Sequence, residues 1–136
     1  MNPLFHDIFQ KTRLLSKELN QVLKEYDLFA SQWTVLYCVH QHGEMILTNI
    51  WKYLNVEAPT ITRTVSRLEE LGWLATSEGK DRREKIVRLS KEAEGKFPAI
   101  EAAIIRFENE FLNDLSKDEQ RDLMELLNKL NKERSE

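Results

Sequence analysis

Thr60, Arg63 and Arg67 stand at positions i, i+3 and i+7, the spacing at which side chains share one face of a helix. Thr62 and Ser66 add two hydroxyls nearby. An arginine fork matches the O6 and N7 acceptors of guanine, and a Thr or Ser hydroxyl can meet a base edge or a phosphate. The chemistry such a face offers is recognition of a nucleic acid rather than bond breaking. Taken alone, the same residues would also suit a solvated surface. A second group argues for recognition. Five of the twelve residues in GKDRREKIVRLS, 79–90, are basic: Lys80, Arg82, Arg83, Lys85 and Arg88. The negative potential of a narrow minor groove attracts an inserted Arg. Asp81, set among them, can hold one Arg in a fixed pose and so reduce the entropy lost on binding.

Other reactive side chains form no comparable pattern. His6, His40 and His42 lack the His-x-x-x-His spacing of a metal-bearing helix. Four Gly in the whole chain leave no Gly-rich phosphate loop, and no nucleophile–base pair stands out. The chain is therefore expected not to be an enzyme, and no cofactor is expected. Cys38 and His42 are four apart and could share a metal if His6 or Glu44 approached them. Cys38 lies between Val35 and Val39 in a buried-helix pattern, where a free Cys usually serves as a small core residue. A single Cys excludes an intrachain disulfide and fits a cytoplasmic protein.

The elements that must carry these residues follow from the hydrophobic pattern. Asn2-Pro3 reads as a helix start, and Leu4, Ile8, Leu15, Leu19, Val22 and Tyr26 continue one long amphipathic stripe. Ser31 can cap a second helix that ends at Gly43. A short third helix spans about 48–54 and buries Ile50, Trp51 and Leu54. After a tight connection at 55–58, a fourth helix opens at Pro59, buries Ile61, Val65, Leu68 and Leu71, and ends before Gly72. Residues 73–76 and 85–89 make a hairpin whose tip is the basic run. Ser90 begins a long helix in which Pro98 marks a kink or the true start. Ser116-Lys117-Asp118-Glu119 is a capping box for the last helix, and the tail after Lys132 frays.

Length and charge are consistent with this order. A chain of 136 residues fits one domain, and no apolar run reaches the roughly 18–20 residues that a membrane span needs. The formal net charge is −3, yet eight basic and five acidic residues give Thr60–Lys91 a charge of +3 and leave −6 for the rest. A remote acidic region weakens a local positive field without cancelling it across a Debye length of ~8 Å. Short helix, tight turn, polar-faced helix and basic hairpin together make a winged helix-turn-helix. The fold class is mainly α with a small β-hairpin wing (α+β). The DNA-binding lobe spans about 28–91, and dimerisation helices about 2–26 and 97–133, within one domain over 1–136. Leu4, Phe5, Ile8, Phe9, Phe107, Phe111, Leu115, Leu123 and Leu130 exceed what one small lobe can cover, which points to a two-fold pair.

Three segments, SQWTVLYCVHQHG, LTNIWKYLNVEAPTITRTVSRLEELGW and DRREKIVRLS, resemble the MarR family of transcriptional regulators, and the likeness runs over nearly the full length. The carriers are Leu68, Glu69 and Gly72, the motif into which the recognition helix leads, and Asp81, Arg83, Val87, Leu89 and Ser90 in the wing. The resemblance implies a homodimer whose terminal helices interlock, with two winged lobes on adjacent major grooves of double-stranded DNA. It implies major-groove contacts from Thr60, Thr62, Arg63, Ser66 and Arg67. In the wing, which includes Lys80, Arg82 and Lys85, it makes Arg83 the minor-groove residue and Asp81 its orienting partner. Spacing alone leaves Arg82 and Arg83 as alternatives. Glu57 at a helix cap, Trp51 in the short helix, Thr76-Ser77 in the wing and Ala93 after it depart from the family pattern.

The expected function is sequence-specific repression from a pseudo-palindromic operator, relieved by a small-molecule or other signal. Trp33, Tyr37 and Trp51 are the candidate effector pocket. The competing expectation is a helical adaptor that binds protein through the winged lobe, with little salt dependence and tolerance of Arg83→Ala.

Overall fold

Local capping sets the first helix. Asn2 Oδ1 accepts the Leu4 N–H at 2.9 Å, and Pro3 enters the first turn, where its missing N–H costs nothing. The computed structural model describes residues 1–130. Helix α1 runs Pro3–Leu23 and closes through a 3₁₀ turn, Lys24–Tyr26. Then follow α2 Ala30–His42, β1 Met45–Ile46, α3 Leu47–Leu54, α4 Ala58–Glu70, β2 Leu74–Glu78, β3 Lys85–Leu89, α5 Lys91–Phe111 and α6 Lys117–Lys129. The fold is mainly helical with a small antiparallel sheet in the order β1-β3-β2.

One core unites the lobe. Leu36, Val39, Ile50, Val65, Leu68 and Val87 are fully or almost fully buried, joining α2, α3, α4 and β3. Leu23 from α1 and Ile100 from α5 reach the same cluster. Helix α1 buries only Leu23 and α6 buries nothing, so both extend beyond the core. Between α3 and α4, Asn55 takes a left-handed backbone (φ 56°), a conformation that Asn tolerates better than most residues. Gly72 does the same between α4 and β2 (φ 87°), where a Cβ would be strained.

Several boundaries differ from the sequence expectation, each for a physical reason. Helix α2 starts before Ser31: Gln32 Oε1 accepts the Phe29 N–H at 2.9 Å, and Asn20 Oδ1, from α1, accepts the Ala30 N–H at 2.6 Å. With two donors satisfied from elsewhere, a Ser31 cap is unnecessary. Strand β1 has only two residues and exists through pairing with β3, Met45 opposite Val87 and Ile46 opposite Ile86. The first wing strand lies at 74–78 rather than 73–76. Leu71 is exposed rather than buried, because it caps α4 and points past the core, and Trp51 and Leu54 are half-buried. Pro98 neither starts nor ends α5. It sits on the exposed side of a helix that begins at Lys91, six residues before the start expected for the second dimerisation segment. The end of that segment at 133 and the expected fraying after Lys132 lie outside the described residues.

Ser90 joins the two parts of the chain. Its Oγ accepts the Ala93 N–H at 3.0 Å, capping α5, and its hydroxyl donates to the Gly72 carbonyl at 2.7 Å. Ser90→Ala removes both bonds, and a lost N-cap costs ~1–2 kcal/mol. Thermal unfolding at fixed protein concentration should show the variant melting several degrees lower. The Ser116–Glu119 capping box has both of its bonds, at 3.1 and 2.8 Å.

Candidate nucleic-acid interface

Helix α4 divides cleanly. Ile61, Val65 and Leu68 are buried, while Thr60, Thr62, Arg63, Ser66 and Arg67 are all exposed. At 3.6 residues per turn, Arg63 lies nearest the point opposite the buried stripe, and Thr60 and Thr62 lie toward its edges. Arg63 is the most outward cation of the helix. Arg67 has Glu70 at 3.7 Å, an exposed pair of little energetic weight that a stronger anion can displace. Arg63 has no carboxylate within 4 Å among the described residues, so its fork is uncommitted. Glu57 takes the N-cap position of α4 without a side-chain bond, leaving its carboxylate at the exposed helix entrance.

The wing is a five-by-five hairpin in register Leu74↔Leu89, Thr76↔Val87 and Glu78↔Lys85. Its tip is built by local bonds. The Gly79 N–H donates to the Glu84 carbonyl at 2.9 Å, and the Glu84 N–H to the Asp81 carbonyl at 2.8 Å. A Cβ on Gly79 would fall 2.7 Å from the Glu84 Cβ, so close approach selects glycine here. Asp81 Oδ1 accepts the Arg83 backbone N–H at 3.1 Å and lies 3.9 Å from Arg83 Nε. Arg83 is thus anchored at its backbone while its side chain stays 93% exposed. Lys80 and Arg82 are exposed and have no carboxylate within 4 Å among the described residues.

Lys85 is placed differently. It faces α4, and its Nζ lies 3.8 Å from Glu69 Oε1. Arg88 points from the other face of the sheet, exposed, with Nη1 donating to Ser77 Oγ at 3.4 Å. The alternation of side chains along β3 sends Lys85 and Arg88 to opposite faces. Arg88 therefore joins the exposed cations of the wing, a role the alternation could have revealed once the strand limits were known.

The three effector candidates are not brought together as one set. Trp33 and Tyr37 are neighbours on α2, ring centres 6.1 Å apart, and Trp33 stacks on Phe97 of α5 at 4.9 Å. His40 stacks on the other part of this contact, 3.8 Å from Phe97. Trp51 lines a separate groove at the turn between α3 and α4, beside Asn55, Val56 and Pro59. Cys38 is buried, its thiol donating to Met45 Sδ at 3.1 Å, and burial pushes its pKa up, which keeps the thiol protonated. His42 Nδ1 lies 2.8 Å from the Cys38 carbonyl, a backbone contact rather than a shared metal geometry. Among the described residues no three His, Cys, Asp or Glu side chains converge as metal ligands, and neither His6 nor Glu44 joins Cys38 and His42. No helix among them is long and apolar enough to cross a membrane.

Comparison with known proteins agrees with this geometry. The profile of the MarR family matches residues 28–85, the span of the lobe up to the second wing strand. The chain is 48% identical over 117 residues to YwoH of Bacillus subtilis, described as an uncharacterized HTH-type transcriptional regulator, covering 86% of this chain and 85% of that one. A cysteine-to-serine mutant of MarR from E. coli, complexed with operator DNA, has the same fold with a TM-score of 0.89. It is 24% identical, over 96% of this chain and 94% of that one. Reduced AbfR bound to DNA matches with a TM-score of 0.77 and 25% identity, over 93% and 87% of the two chains.

Proposed function

The chain belongs to the MarR family of transcriptional regulators, and from that premise we infer that it binds a pseudo-palindromic DNA operator as a homodimer and represses transcription there. The observation that carries this reading is the juxtaposition of an uncommitted Arg63 on the outward face of α4 with a wing whose tip exposes Lys80, Arg82 and Arg83. Helix α4 enters a major groove and the wing reaches the flanking minor groove. Arg83 is the inserted residue, because Asp81 holds its backbone while leaving the guanidinium outside. Thr60, Thr62, Ser66 and Arg67 complete the helix contacts, and Lys80, Arg82 and Arg88 meet phosphates.

Homodimerisation follows from the apolar faces left uncovered. Leu4, Phe5 and Phe9 on α1, with Leu123, Met124, Leu126 and Leu127 on α6, are all more than two-fifths exposed. Pairing about a two-fold axis covers both ends and sets two lobes about one helical turn of DNA apart, ~34 Å. The chain carries out no catalysis and acts in the cytoplasm. A small-molecule signal would act at the aromatic junction of α2 and α5, where Tyr37 is exposed beside Trp33, or in the Trp51 groove.

Selection of binding sites from random duplex DNA, followed by mobility shifts at two salt concentrations, tests the reading. The pool should converge on paired half-sites, with affinity falling steeply as salt rises. A pool that stays random would sink it. Protein-partner binding with little salt dependence and indifference to Arg83→Ala would favour the adaptor instead.

A further inference from the structure

Glu69 has a carboxylate in a region otherwise suited to bind phosphate, and both of its oxygens are engaged. Oε2 accepts the Thr76 hydroxyl at 2.6 Å, and Oε1 lies 3.8 Å from Lys85 Nζ. Thr76 belongs to β2 and Lys85 to β3, so one side chain from the last turn of the recognition helix holds both wing strands. The register makes this possible. Residues directly opposite in an antiparallel pair share a face, and the face carrying Leu74, Val87 and Leu89 also carries Thr76 and Lys85. The three apolar residues are buried against the lobe. Thr76, opposite Val87, is half-buried at the edge of this floor, and Glu78 and Lys85 continue beyond it toward the tip. A two-stranded ribbon with no floor is marginally stable by itself. Glu69 acts at the point where that floor stops.

We propose that Glu69 is a positioning residue that fixes the angle between the recognition helix and the wing. Both groove contacts can then be made at one register on the duplex. The proposal rests on the DNA-binding reading given above. It also reassigns Lys85: the ammonium neutralises Glu69 instead of meeting a phosphate, so the carboxylate does not repel the DNA backbone. The wing's phosphate-directed charge is then carried by Lys80, Arg82, Arg83 and Arg88. Lys85 and Glu69 side chains are 38% and 41% exposed, so the ion pair is partly screened, and the short Thr76 bond is the stronger tie.

A set of variants separates this role from general stability. Glu69→Ala should retain the wild-type melting temperature within a few degrees and lose about tenfold in operator affinity. Combined with Arg83→Ala, it should lose less than the product of the two single effects, because a displaced wing no longer delivers Arg83. Glu69→Gln, which can still accept from Thr76, should recover most of the affinity. Lys85→Met made in the Glu69→Gln background removes both charges of the pair, so it should leave the slope of log affinity against log salt as in the wild type, whereas a lost phosphate contact lowers it by about 0.9. Amide relaxation of free protein should show greater mobility at residues 79–84 in Glu69→Ala and in Thr76→Val. Unchanged wing mobility in both variants, or a slope lowered by about 0.9 in the Glu69→Gln, Lys85→Met double variant, would overturn the proposal. The relaxation measurement needs no DNA. If no operator is found, the DNA-binding reading fails while the tether is still decided.

Discussion

Phe9→Glu should convert a two-chain particle into a one-chain particle at micromolar concentration, as read by sedimentation or light scattering. Phe9 lies on α1, about half exposed, in a helix that buries only Leu23 in its own chain. Leu126 and Leu127 of α6, about as uncovered, belong to the same proposed interface. Burying a Phe side chain contributes ~1.5–3 kcal/mol, and a two-fold interface contains the residue twice. Placing a carboxylate there forfeits that gain and adds the desolvation of two charges. Operator affinity should fall with the dimer by about 10²–10⁴, since the second lobe then binds as a separate molecule rather than at a local concentration near millimolar. Tyr53→Glu is the control. Tyr53 is also apolar and exposed, but it belongs to α3 of the lobe, and its replacement should leave the mass unchanged. A dimeric Phe9→Glu protein would remove the terminal helices from the interface.

The local signals in the sequence and the long-range ones differ sharply in how well they can be read. Asn2-Pro3, Ser90 and Ser116–Glu119 cap helices through bonds spanning two or three residues, so their residue types reveal them. The start of α2 is not legible in the same way, because Asn20 supplies one of its acceptors from ten residues upstream. Strand β1 is invisible to periodicity: two residues make no pattern, and their strand character comes from β3, some forty residues later. The α4 face and the basic tip are legible because helix spacing and charge are local properties. What those properties hide is which cation is free. Lys85 and Arg88 look equivalent in the basic run, yet the sheet sends one to Glu69 and the other to solvent. Glu69 itself reads only as a motif position and one of five acidic residues until the register of the hairpin is known.

This division of cations explains how an acidic chain can present a basic contact surface. Asp81 anchors Arg83, and Glu69 pairs with Lys85, so two of the five acidic residues in Thr60–Lys91 organise the surface. Their cost in net charge is offset by fixed geometry, which matters more for an Arg proposed to enter a narrow groove. The remaining −6 of the chain lies outside this segment and disfavours indiscriminate binding to polyanions.

Arg63→Ala should weaken binding to the selected operator by ~1–3 kcal/mol and relax preference at one base pair of each half-site. Two observations single out Arg63 rather than Arg67. It lies opposite the buried Ile61–Val65–Leu68 stripe, and it has no carboxylate partner among the described residues, whereas Arg67 must first leave Glu70. The base whose discrimination is lost should be a guanine, because only its major-groove edge offers two acceptors to one guanidinium fork. Arg63→Lys then serves as a diagnostic. Lys keeps the charge but lacks the planar fork, so it should restore the salt slope while recovering only part of the base preference. If Lys restores affinity and preference together, Arg63 acts as a phosphate contact. Base reading then passes to Ser66 and the threonines. Binding measured against each single-base variant of the operator distinguishes the two outcomes.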